Sequence, residues 1–142
     1  MSPVESLLAD VETRWRQQGL KLAPKASPSA LRDFESRFRV QMPDDFSTYL
    51  LTLGGMAEGT WDEHLIRFWS LAEIQPAVPV EDGSDYFAFA DWSISAHEYA
   101  IRLSTPARPD VALIGGPKPR IIAPTFSTFL TMYLSHPASL FV

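Results

Sequence analysis

Apolar side chains recur at helical spacing over the first third of the chain and change period after Gly55. Val4, Leu7, Leu8, Val11 and Trp15 fall at three- and four-residue intervals behind Ser2-Pro3-Val4-Glu5, a start signal with an N-cap serine, a first-turn proline and a capping-box glutamate. They predict an amphipathic helix over 3–18, stopped by Gly19. Ser27-Pro28 opens a second helix, with Leu31, Phe34 and Phe38 on one stripe, interrupted at Met42-Pro43. Pro43 opens a third, with Asp44 and Asp45 in its first turn, a stripe of Phe46, Tyr49, Leu50 and Leu53, and an end at Gly54-Gly55.

The remaining pattern is that of strands. Residues 65–69 read as a strand, followed by a short turn of helix from Ser70 through Ile74. Pro76 and Pro79 exclude regular structure from the next connection, which runs through the turn-like residues 81–84. Residues 86–90 form an almost continuously apolar strand, predicted to be central, and residues 98–103 alternate polar and apolar. Residues 111–114 and 120–123 are two short strands around a Gly-Pro loop. Thr125 caps a last helix with the stripe Phe126, Phe129, Leu130, Tyr133 and Leu134, broken by Pro137. Three helices, several strands and a helix predict an α+β domain rather than a βαβ alternation.

Composition narrows the function. The chain has 142 residues, which predicts one domain. It has no cysteine, which excludes a disulfide framework, a thiolate metal site and a cysteine nucleophile. The net charge of −5 argues against nucleic acid as a partner, because phosphate neutralisation needs a basic face. That charge is unevenly placed. Residues 1–42 carry +2 and residues 101–142 carry +3, whereas residues 43–100 hold Arg67 against eleven acidic groups, −10 in all. The amino-terminal stretch lacks the basic, apolar order of a signal peptide, and no apolar run approaches the roughly 20 residues of a membrane span, so a cytoplasmic location without membrane association is expected.

Motifs for chemistry are sparse. His64 has no second histidine at helical spacing and reads as part of a solvated loop. His97 lies near Ser95 and Asp91 without a nucleophile elbow, and a small hydrolase built on them is the remote alternative. His136 sits at the end of the last helix, where positive charge is favoured. Gly115-Gly116-Pro117-Lys118 does not match a phosphate loop, and the acidic stretch 81–85 lacks the terminal glutamate of a calcium loop. No catalytic residue, metal ligand or cofactor is assigned. Trp61 stands apart as an aromatic residue in a polar loop with Asp62, Glu63 and His64, a combination suited to an interface anchor.

One ordered set of motifs points to a family. Glu35, Phe38 and Val40, then Met42-Pro43-Asp44-Asp45-Phe46, then Tyr49-Leu50 and Leu53-Gly54-Gly55 resemble the helix, "LP-x-x-(aromatic)", helix and "Asn-Gly-Gly" pattern of the SUKH superfamily. Phe68-Trp69-Ser70-Leu71-Ala72-Glu73-Ile74, Phe89-Ala90-Asp91-Trp92 and Ile122 through Leu130 resemble that superfamily's later segments in order, so that the likeness spans about residues 27–135. Met42 replaces the usual leucine and Leu53 the usual asparagine. Leucine resists left-handed dihedrals, so Gly54 is expected to take that role.

The resemblance implies a single domain over 1–142, residues 1–26 adding an N-terminal helix and its connection. It implies a curved, mostly antiparallel sheet with N-terminal helices and a C-terminal helix packed on it. Bacterial members are largely immunity proteins that bind and neutralise a cognate toxin domain, and eukaryotic members include a fungal cell-wall-synthesis regulator that works as an interaction scaffold. The expectation is therefore a non-enzymatic protein-binding domain, an immunity protein first and a regulatory adaptor second. Its partner would be a basic toxin domain, and the chain itself a monomer or weak homodimer. Candidate partner-binding residues are Trp61, Asp62, Glu63, Glu81, Asp82, Asp85, Asp91 and Trp92.

Overall fold

The computed structural model describes residues 2–77, 86–93, 96–103, 108–115 and 119–141. Helix α1 spans Pro3–Gln17 and begins as its sequence requires, with Ser2 Oγ accepting from the Glu5 amide at 3.3 Å. It ends in a left-handed Gly19 (φ 69°), where the amides of Gly19 and Leu20 reach back to the carbonyls of Arg16 and Trp15. Helix α2 spans Pro28–Phe38, capped by Ser27, whose Oγ accepts from the Ala30 amide at 3.1 Å. It stops four residues before the expected break at Met42-Pro43. Arg39 takes a left-handed conformation (φ 56°), and the Glu35 carboxylate accepts from the Met42 amide at 2.8 Å, which closes the turn before proline is reached.

Helix α3 spans Asp44–Thr52. The double glycine after it answers a packing demand as well as a dihedral one. Gly54 adopts φ 75° while Leu53 stays right-handed, as expected, and Gly55 adopts φ 102°. A Cβ on Gly54 would fall 2.3 Å from the Pro24 carbonyl oxygen, and one on Gly55 would fall 2.6 Å from that of Trp69.

Strand β1 is Ile66–Phe68, and a 3-10 turn over Leu71–Glu73 comes next, closed by a capping box between Ser70 and Glu73. Strand β2 is the pair Gln75–Pro76, in a segment for which proline had predicted irregular structure. It pairs on one side with β3 (Tyr86–Trp92), and an edge position tolerates the missing proline N–H. Strands β4 (His97–Arg102), β5 (Val111–Ile114) and β6 (Arg120–Ala123) complete an open six-stranded antiparallel sheet of order β1-β3-β4-β5-β6, with β3 central and paired with β1, β2 and β4. Helix α4, Phe126–Ser135, is capped by Thr125 and followed by a 3-10 turn over Pro137–Leu140.

Helices α1, α3 and α4 cover one face of the sheet around an aromatic core. Phe68 meets Trp15 (5.3 Å between centroids) and Tyr133 (5.0 Å), and Phe89 meets Phe46, Phe126 and Phe129. Phe34 and Phe38 of α2 close on Phe87. The alternation expected in β4 fails in the middle, where Tyr99, Ala100 and Ile101 are all buried. Tyr99 and Ile101 join the main core, and Ala100 sits on the other face between its register partners Ala88 and Ala112.

A bulge between Ala88 and Ala90 sets which side chains of β3 face the helices. It turns both Phe89 and Ala90 into the main core, so Asp91 leaves that face and Trp92 returns to it. Among the described residues, no helix is long and apolar enough to cross a membrane.

Candidate functional site

The loop from Trp61 to Leu65 is built around one buried carboxylate. Asp62, 3 % exposed, accepts at Oδ1 from the amides of His64 (2.8 Å) and Ile66 (2.9 Å) and at Oδ2 from the Tyr133 hydroxyl. Its backbone closes the same loop: the Asp62 amide donates to the Ile66 carbonyl, and the Leu65 amide to the Asp62 carbonyl. Leu65 is left-handed (φ 64°), and Gln18 at the end of α1 accepts from the Glu63 amide at 3.1 Å. The loop presents Trp61, 41 % exposed, and Leu65, 39 % exposed, with the Glu63 carboxylate between them in solvent.

Beside it, the sheet end and the C-terminal segment raise an aromatic column. Trp92 pairs in register with Ile66 and His97, and its ring stacks on Phe141 at 4.7 Å and 10° between planes. The His97 ring lies 5.2 Å from that of Trp92, and His64 lies 6.1 Å from Phe141. The Ser93 amide donates to the Leu65 carbonyl, which ties the column to the loop. All four rings are half-buried, so the patch offers flat apolar area without being sealed in the core.

The structure brings Trp61, Glu63 and Trp92 to this surface and turns Asp62 and Asp91 inward. Asp91, 6 % exposed, accepts from Trp69 Nε1 at 2.6 Å on the sheet face away from the helices, with Arg67 Nε 3.9 Å from it. Glu81, Asp82 and Asp85 lie outside the described residues. His97 and Asp91 sit on opposite sides of the bulged β3–β4 pair. His97 Nδ1 has no hydrogen-bond partner, so the two do not form a catalytic couple, and Ser95 lies outside the described residues. Among the described residues, no group of three or more His, Asp or Glu side chains is placed to hold a metal ion.

The acidic middle of the chain divides between structure and surface. Asp45 accepts from the Ser127 amide and hydroxyl at the start of α4 (2.8 and 2.9 Å), and Glu73 chelates Arg67. Burial pushes the Glu73 carboxyl up, but hydrogen bonds from Arg67 and Ser70 outweigh it and hold the group below the usual carboxylate range. Glu98, in register with Asp91, has no such compensation, and burial together with the Asp91 charge pushes it up. Asp44, Glu58 and Glu63 face solvent.

Phe141 was not singled out in the sequence, and His64, Leu65 and His97 were read there as a solvated loop, a strand residue and a remote hydrolase candidate; their meeting beside Trp92 depends on tertiary contacts that carry no periodic signal. Tyr133 and Trp15 were legible only as members of apolar stripes. The sequence profile of the SMI1 / KNR4 family (SUKH-1) matches residues 25–132, close to the 27–135 expected from the motifs. No curated protein matches the chain.

Proposed function

The chain belongs to the SMI1 / KNR4 family (SUKH-1), a family of generally non-catalytic immunity and regulatory domains, and from that membership we propose that it is an immunity protein that binds and neutralises a cognate bacterial toxin domain. The family match over most of the chain is the observation that carries this reading. The binding surface is the Trp61–Leu65 loop with the Trp92–Phe141 column. Trp61 and Leu65 are two of the four large apolar side chains left exposed among the described residues, and they flank a solvent-facing carboxylate. Glu63, exposed between Trp61 and Leu65, offers a basic toxin surface an ionic contact, after which the aromatic anchors exclude water. The protein works in the cytoplasm as a monomer or weak homodimer, with no cofactor and without contacting nucleic acid or membrane.

The test is calorimetric titration against toxin domains encoded beside the gene. A basic neighbour is expected to bind with an affinity that falls as salt rises, and Trp61→Ala should weaken it by about thirtyfold, as for an interface hot spot. Failure of every neighbouring product to bind, or a gene standing apart from toxin cassettes, would overturn the immunity reading in favour of a regulatory adaptor.

A further inference from the structure

A buried chain of hydrogen bonds runs from the core to the Trp61–Leu65 loop. Trp15 Nε1 donates to the Tyr133 hydroxyl at 2.9 Å, and the Tyr133 hydroxyl donates to Asp62 Oδ2. The other Asp62 oxygen holds the amides of His64 and Ile66. Trp15 lies on α1, Tyr133 on α4 and Asp62 in the loop, so three segments distant in sequence converge on one carboxylate.

The direction of each bond is set by the donors. An indole N–H only donates, so it takes a lone pair of the tyrosine oxygen and leaves the phenolic proton for the carboxylate. Burial, reinforced by the Asp62 charge, pushes the Tyr133 hydroxyl up, so it keeps that proton. All three residues are at most 3 % exposed, and none of the ion pairs among the described residues involves Asp62.

A buried carboxylate without a cation is a poor device for stability alone, since apolar side chains of similar volume would fill the space without desolvating a charge. Its geometric effect is specific. Two amides and one hydroxyl fix the orientation of Asp62, and Asp62 fixes a loop whose Leu65 is held in a left-handed conformation that leucine disfavours. Trp61 and Glu63, on either side of Asp62, are thereby presented in one arrangement.

We propose that Tyr133, and Trp15 behind it, are positioning residues for the binding loop: they hold Asp62 so that Trp61 and Glu63 are ordered before a partner arrives. Less conformational entropy is then lost on association. The inference rests on the loop being the binding surface, and its test separates the two ideas.

Hydrogen exchange is measured on the full chain and on Tyr133→Phe and Trp15→Phe, which keep an aromatic ring at each position; the first removes both hydrogen bonds of the tyrosine hydroxyl and the second removes the indole bond alone. In Tyr133→Phe the amides of His64 and Ile66 are expected to exchange about tenfold faster, while those of Tyr99, Ile101 and Leu113 in the sheet keep their rates. Trp15→Phe should show the same local pattern at smaller amplitude. Binding to the cognate toxin domain should weaken in Tyr133→Phe through faster dissociation. Unchanged exchange at His64 and Ile66 would overturn the proposal, and so would acceleration spread evenly over loop and sheet. Local acceleration combined with a Trp61→Ala variant of full affinity supports the positioning and overturns the assignment of the binding surface.

Discussion

Replacing Arg67 by methionine removes the single cation of the acidic middle segment. The guanidinium reaches Glu73 through Nη1 (3.1 Å) and Nη2 (2.5 Å), donates to the Met56 carbonyl (3.1 Å) and lies 3.9 Å from Asp91. Only 12 % of its side chain is exposed. Methionine covers the aliphatic stem but leaves Glu73 and Asp91 without a counter-charge. Breaking a fully buried pair costs about 3–5 kcal/mol. Glu73 retains 30 % side-chain exposure, so solvent screening lowers the expected loss to about 2–3 kcal/mol. For a chain of this size that is a fall in melting temperature of about 6–12 °C.

The pH dependence has a definite sign. The folded Glu73 carboxyl is held below its unfolded value of 4.5, so its contribution is complete above that value and lost as pH falls through the folded one. The gap between wild type and Arg67→Met should therefore be widest at neutral pH and shrink as pH falls below 4.5 and through the lower folded value. Urea denaturation followed by tryptophan fluorescence measures both. The double variant Arg67→Met/Glu73→Gln, which keeps an acceptor for the Ser70 cap, should recover at least about 1 kcal/mol. A single variant that loses less than about 0.5 kcal/mol, or a double variant that is additive, would refute the reasoning.

Glu98→Gln should raise the melting temperature at neutral pH. Burial and the Asp91 charge lift the folded Glu98 carboxyl above its unfolded value, so the ionised form opposes folding and the gain from glutamine should vanish as pH falls through the folded value. Gly55→Ala should lose at least about 2 kcal/mol in a thermal melt, since the new Cβ meets the Trp69 carbonyl oxygen at 2.6 Å in a left-handed conformation. Asp45→Ala should lose about 1–2 kcal/mol in urea titration, because the Ser127 amide and hydroxyl at the start of α4 lose their shared acceptor, while Asp45→Asn should retain part of it.

Helix starts were legible because a cap is a local device. Ser2, Ser27 and Thr125 each accept from an amide three residues on, and both ends of that bond stand within one short stretch of sequence. The close of α2 was misplaced because it depends on the Glu35 side chain folding forward onto the Met42 amide, a choice that no propensity scale encodes. β2 was missed because proline is disfavoured in strands generally and tolerated at an edge, and edges exist only once a sheet is assembled. In the candidate site, Trp61 was conspicuous as an aromatic residue in a polar loop. Asp62 looked identical in kind to Glu63, although the two point into the core and into solvent respectively.

Apart from β2, the order of elements, the α+β class, the double-glycine turn and the family could all be read along the chain, because each rests on contacts spanning a few residues or on an ordered set of short motifs. The direction of the acidic side chains could not. A single bulge in β3 decides that Asp91 leaves the aromatic face and Trp92 joins it, and a register shift of one residue is invisible to a period-two pattern. The stacking of Trp92 on Phe141, forty-nine positions later, and the convergence of Trp15 and Tyr133 on Asp62 depend on how α1 and α4 dock against the sheet. Net charge is a property of composition, whereas a charged surface requires the carboxylates to have no partner inside the fold, and only the tertiary structure makes that division.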